Sequence, residues 1–156
     1  MSKRNTMTGT PEYDELVKVM AEAKEQVAKA GKKAVTALLK TFFAANPDVT
    51  GIGWTQYTPY FNDGDPCEFS VRDFYWTTKP GVDFAEVTSV YPDDDDGAGW
   101  QDEYGEKKTP RERALKEAVA TLRRAVDEDV FEAAFGDHAM VIAVPDGFHV
   151  SEYSHD

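Results

Sequence analysis

The chain has one cysteine, Cys67, among its 156 residues. No disulfide within a single copy is therefore possible, and the fold must rest on packing and hydrogen bonds. It also lacks any apolar run near the roughly 20 residues that a membrane-spanning helix needs. No apolar stretch follows Lys3 and Arg4, which argues against a secretory signal, so a cytoplasmic location is expected. Basic residues are scarce: 17 Lys and Arg stand against 29 Asp and Glu, a net charge of −12. Such a surface repels nucleic acid and anionic lipid, so the expected partner is a protein with a basic surface, with neither direct nucleic-acid binding nor membrane attachment. A phosphate-binding glycine loop is missing too. Gly51-Ile52-Gly53 has neither the following helix nor the third glycine of a dinucleotide site, and no cofactor is expected.

What is present is unevenly spread. Residues 51–106 hold 13 Asp and Glu against only Arg72 and Lys79, and also 12 of the 19 aromatics, including every Trp. A disordered acidic tail would lack those aromatics, and an ordinary core segment would lack that charge. The chemistry is therefore expected in this middle third.

Along the chain, Thr10-Pro11-Glu12 reads as a helix start, with Thr as cap and Pro at the first helical position. Leu16, Val17, Met20, Val27, Val35, Leu38, Leu39, Phe42 and Phe43 keep near-helical spacing up to Asn46-Pro47. Gly31 weakens the middle, which predicts two helices or one kinked helix. Period two follows in 50–58, with Ile52 and Trp54 on one strand face and Gly53, Thr55 and Tyr57 on the other. A turn-rich loop, 58–66, joins this strand to the next. There Cys67, Phe69 and Val71 share one parity while Phe74 and Trp76 have the other, so a bulge is expected near Arg72-Asp73 and a buried thiol at Cys67. Phe84, Val87, Val90 and Tyr91 suggest a third strand over 84–91.

The run Asp93-Asp94-Asp95-Asp96-Gly97-Ala98-Gly99 reads as an exposed, mobile loop within 92–108. Thr109-Pro110-Arg111-Glu112 is a capping box opening a helix whose buried stripe is Leu115, Val119, Leu122 and Val126. A short helix over 130–135 ends at Gly136, and 138–150 forms a hairpin around Pro145-Asp146-Gly147. The order α-β-β-(β)-α-β-β predicts an α+β fold, an antiparallel sheet with its helices packed on one face. It is read as one domain over 11–153 after a flexible 1–10.

The stretch from Trp54 through Tyr57, Tyr60, Phe61, Asn62, Asp63, Gly64, Asp65, Pro66 and Cys67 to Val71 resembles a W-T-Q-Y-T-P-Y-F-N-D-G-D-P-C-x-F-x-V segment. That segment belongs to a family of small uncharacterised bacterial and bacteriophage proteins, and the ending Glu152 to Asp156 is similar to theirs. The resemblance implies a microbial or phage origin and a shared fold, and transfers no catalytic residue.

Two functional readings stand. The first, favoured, is a non-enzymatic acidic binding or inhibitor protein docking a basic partner surface through Tyr60, Asn62, Asp63, Asp65, Asp93, Asp94, Asp95, Asp96 and Trp100. In it charge steers the encounter and aromatics anchor it. The alternative is a small enzyme or divalent-metal or ligand-binding domain built on the Tyr60–Asp65 loop. An EF-hand is disfavoured: Asp94, Asp96, Gly97 and Glu103 fit its spacing, but Pro92 occupies the first ligand position. No catalytic residue and no metal ligand are assigned.

Overall fold

A computed structural model describes residues 10–59, 64 and 67–154. Helix α1 (Pro11–Ala45) opens as its sequence dictates, with the Thr10 hydroxyl accepting the Tyr13 N–H at 3.1 Å. It is one uninterrupted helix. Gly31 does not break it, because that glycine is buried where α1 crosses the helix at 128–135, and tertiary packing there outweighs weak helix propensity. Asn46 then closes the helix, its side-chain amide donating to the Phe42 carbonyl.

Strand β1 (Gly51–Tyr57) is central to a five-stranded antiparallel sheet. On one side it pairs with β2 (Ser70–Val71) and β3 (Tyr75–Thr77), on the other with β4 (Ala139–Val144), which pairs with β5 (Gly147–Glu152). Gln56 faces Val71 and Gly53 faces Tyr75, so the strand opposite β1 carries one residue more than β1 between those pairs. That is the bulge expected near Arg72-Asp73. Tyr57 ends β1 opposite Ser70, so Cys67 to Phe69 have no strand to pair with, and Cys67 is exposed rather than buried.

Helices α2 (Pro110–Arg124) and α3 (Glu128–Phe135) join α1 on one face of the sheet. The Thr109 hydroxyl caps α2 by accepting the Glu112 N–H at 3.1 Å. Arg111, one residue into that helix, reaches back to Asp48 at 2.9 Å and Asn46 at 3.0 Å, tying the end of α1 to the start of α2. Its hydrogen bond holds the Asp48 carboxyl below its ordinary pKa. Trp54 lies at the centre of the helical layer, stacked on Phe74 at 4.4 Å and edge-on to Phe131 at 5.4 Å. The fold is the expected α+β arrangement with helices on one face.

The opposite face is where expectation and structure part. Residues 84–91 form no third strand. They make a 3-10 turn at Phe84–Glu86 and then an extended run lying across the outer face of the sheet. Phe84, Val87, Val90 and Trp100 pack there on Met140 and Ile142. Both faces of β1 are thereby buried along its whole length. Gly53 is required for this approach, because a Cβ at that position would lie 2.5 Å from Val90 Cγ1.

No helix among the described residues is long and apolar enough to cross a membrane.

Candidate functional site

The outer layer is a single excursion that leaves the sheet after β3 and returns at Gln101. Trp76 and Gln101 close it by exchanging two backbone hydrogen bonds, of 3.1 and 2.7 Å. Thr77 Oγ1 donates to the Gly99 carbonyl at 2.9 Å just inside that closure. The acidic run sits near the end of the excursion and does not stand off the sheet as a structureless loop. Asp95–Gly97 form a 3-10 turn, and the side chains of two of the four aspartates fasten it. Asp94 accepts from the Ser89 hydroxyl at 2.8 Å and Asp96 from the Thr88 hydroxyl at 2.9 Å. All four, Asp93 to Asp96, remain exposed. The result is a block of four carboxylates held on a packed base.

Trp100 does not present itself to a partner. Its ring is 6% exposed, packed edge-on to Phe84 at 6.1 Å and against Val90. It fixes the acidic turn to the sheet from below. Among the described residues the aromatic that does face solvent is Tyr104, 71% exposed. Its hydroxyl donates to Asp73 Oδ2 at 2.8 Å, and Asp102 Oδ1 accepts the Tyr104 and Gly105 N–H groups at 3.0 and 2.7 Å. The bond to Asp73 pushes the Tyr104 phenol up to about 12, so it is a neutral donor at physiological pH. Asp73 is a bulge residue. The extra residue in that strand is what brings a carboxylate within reach of the 102–105 turn.

Behind this surface lies a tyrosine cluster. Tyr91 shares hydrogen bonds with Thr55 at 2.8 Å and Tyr153 at 3.1 Å, and meets the Tyr75 ring edge-on at 5.2 Å. Burial raises the Tyr75 and Tyr153 phenols well above their usual range, so both stay protonated. Arg72 stacks over Tyr57, 4.5 Å from its centroid. One of the only two basic residues in the acidic third is thus half-buried against an aromatic ring.

Tyr60, Asn62, Asp63 and Asp65, the other expected contact residues, lie outside the described residues. The entry to their loop is fixed, however. The Asp137 carboxylate accepts the Thr58 N–H at 2.7 Å, the Thr58 hydroxyl at 2.8 Å and the His138 N–H at 2.9 Å. Partial burial pushes the Asp137 carboxyl up, but these hydrogen bonds outweigh it and leave the pKa below 3.8. A lowered folded pKa stabilises above the unfolded value, and that stabilisation is lost as pH falls through the folded one. Asp137→Asn is therefore expected to cost at most about 1 kcal/mol at pH 7, because the carboxylate is over a third exposed and screened by water. Thermal melts at a series of pH values check this: the gap from the parent chain should close below 3.8.

Among the described residues no three His, Cys, Asp or Glu side chains converge as a metal site requires. No family model matches the chain, and no curated protein or solved structure matches it.

Tyr104 and Asp73 were missed by reading the sequence, and the signal for them was weak. A lone Tyr between Glu103 and Gly105 looks like loop filler. Only the strand offset that places Asp73 opposite it gives it a fixed position.

Proposed function

We propose that this chain is a non-enzymatic binding protein that docks on a basic surface of a partner protein through its outer layer. The observation that carries the reading is the fastening of exposed Asp93–Asp96 by Ser89 and Thr88 over a buried Trp100. Carboxylates held in place before the encounter lose less entropy on binding than the same charges on a free loop. Tyr104, eight residues on from Asp96, exposed and oriented by Asp73, supplies an aromatic contact. Complementary charge speeds and orients association, while a central aromatic slows dissociation.

The test separates charge from fold. Asp93→Lys with Asp95→Lys reverses two exposed charges and leaves the Asp94 and Asp96 hydrogen bonds in place. A partner captured from the native host on the parent chain is purified and titrated against both proteins. At about 0.15 M salt the double variant is expected to bind at least about tenfold more weakly, the difference shrinking as salt rises. Equal affinity at low salt defeats the proposal, as does capture of no basic protein.

A further inference from the structure

The two edges of the sheet are finished differently. On the edge formed by β2 and β3, the residues whose backbone groups point outward are Val71 and Trp76, and both are engaged. The Val71 N–H donates to Glu128 Oε2 at 2.6 Å, and its carbonyl accepts from Arg123 at 3.3 Å. Trp76 exchanges both of its backbone bonds with Gln101. The other edge is β5. There the Tyr153 N–H bonds to the His138 carbonyl at 2.7 Å, which fixes the parity of the strand. Gly147, His149 and Ser151 turn their backbone groups toward β4, and Phe148, Val150 and Glu152 turn theirs outward. No described residue hydrogen-bonds to the backbone of those three. Nor does β5 carry the devices that keep edge strands apart: it has no Pro and no Lys, and its ladder with β4 runs without a bulge. Its residues 149–152 are exposed. A row of free N–H and C=O groups left this way is a template for another strand.

The strand that fits is β5 itself. Within Gly147–Glu152, a two-fold axis through Val150 is the antiparallel register that uses all three outward residues, Phe148 against Glu152 of the other copy and Val150 against Val150. Axes at His149 or Ser151 use two pairs instead of three, and the first of them also sets His149 against His149. The side chains agree with the fuller register. Phe148 and Val150 lie opposite Ala143 and Val141, on the face that meets the helices, so Val150, 47% exposed, is covered by its own counterpart. On the outer face His149 falls opposite Ser151 of the other copy. That small residue lines a groove of about 310 Å³ between β5 and the 84–87 segment, floored by Met140 and Ile142. An imidazole from the neighbouring copy can lean across Ser151 into the groove at its Met140 end, and the symmetry repeats the contact on the other side of the axis. No like charges meet across the seam in this register.

We infer that β5 is the dimerisation edge of this protein, pairing antiparallel with β5 of a second copy about an axis through Val150. The interface is isologous and joins the two five-stranded sheets into one continuous sheet. The axis stands perpendicular to that sheet, so both helical layers lie on one side and both acidic outer layers on the other. A dimer would then offer two acidic layers to one partner surface, with the gain in avidity that paired sites give.

Sedimentation equilibrium of the full chain tests this. The parent chain is expected to be mainly dimeric at about 100 µM. Each copy carries −12, so the dimer should tighten as salt rises, the opposite of the salt response expected for a basic partner. Val150→Lys sets two like charges face to face on the axis and should weaken the dimer at least about a hundredfold, while circular dichroism shows the fold unchanged. Cross-linking reads the register in a Cys67→Ser background. Val150→Cys should form a disulfide between copies under air oxidation, since facing Cα atoms of such a pair stand about 5.5 Å apart. His149→Cys and Ser151→Cys should each cross-link poorly alone and readily when mixed. A parent chain still monomeric at about 100 µM in about 0.5 M salt overturns the inference, as does a dimer that Val150→Lys leaves intact. A dimeric chain in which Val150→Cys does not cross-link overturns the pairing through Val150. A monomer that instead seats a segment of a different protein on β5 overturns the assignment to a second copy.

Discussion

Gln56→Leu is expected to lower the unfolding free energy by about 2–4 kcal/mol, although Leu is close to Gln in volume and more at home in a core. Gln56 is fully buried on the face of β1 that meets the helices, and its amide is fully engaged. Its Oε1 accepts the Trp54 indole N–H at 2.9 Å, and its Nε2 donates to the Phe131 carbonyl at 2.9 Å and the Gly136 carbonyl at 2.7 Å. One side chain thus orients the central tryptophan and ties β1 to the C-terminal end of α3. Leu leaves the indole N–H without a partner in a fully buried site, which costs about 1–3 kcal/mol by itself. The two carbonyls lose a donor each, at smaller cost because Gly136 is only part-buried. Urea denaturation should show a lower midpoint with an unchanged slope. Gln56→Glu sharpens the test. A carboxylate cannot donate to either carbonyl and would sit beside two oxygen dipoles, so its folded pKa is raised. Stability so gained is present below the unfolded pKa and is lost as pH rises through the folded one. Gln56→Glu should therefore recover toward the parent as pH falls, and Gln56→Leu should not.

Much of the helical half of this fold was legible because its signals are local. Thr10-Pro11 and Thr109-Pro110 name the helix starts from side-chain chemistry alone, and the parity change between Val71 and Trp76 demands an inserted residue wherever one face is buried. The 139–152 hairpin follows from its turn and its continuous apolar strand. The outer layer was less legible for a definite reason. Phe84, Val87 and Val90 bury the same side chains whether their backbone joins a ladder or lies flat on a neighbouring sheet, so periodicity cannot separate the two. The discriminating signal was elsewhere in the chain. Gly51 and Gly53 sit at alternate positions of β1, on the face away from the helices, and leave room for Phe84 and Val90. A strand that discards two side chains on one face is a strand that something else covers. The same gap explains the exchange of Trp100 for Tyr104 at the candidate surface. Both follow the acidic run, and only knowledge that the run lies on the sheet shows that the first aromatic after it points inward.

The acidic surface depends on one hydrogen atom at position 97. A Cβ there would lie 1.9 Å from the Tyr91 carbonyl oxygen and 2.7 Å from its carbon, and since both are backbone atoms no rotamer change can relieve the clash. Gly97→Ala must therefore push the 3-10 turn away from Tyr91. It strains three backbone bonds of that turn, Asp94 N–H to Tyr91 at 3.1 Å, Gly97 N–H to Asp94 at 2.9 Å and Trp100 N–H to Gly97 at 3.1 Å. The expected cost is about 2–3 kcal/mol, taken mostly as local detachment, because the helical core around Trp54 lies on the other face of the sheet. Trp100 should become exposed, so tryptophan emission should shift to the red and amide exchange should rise across 88–101 while α2 and β4 stay protected. The consequence for binding is the sharper result. Gly97→Ala keeps every carboxylate and the full net charge of −12, and removes only their fixed arrangement. If a partner responds merely to charge density, this variant binds as the parent does and only Asp93→Lys with Asp95→Lys fails. If the aspartates act from fixed positions, Gly97→Ala is expected to lose about tenfold in affinity, chiefly through faster dissociation, since long-range steering by the same net charge is retained.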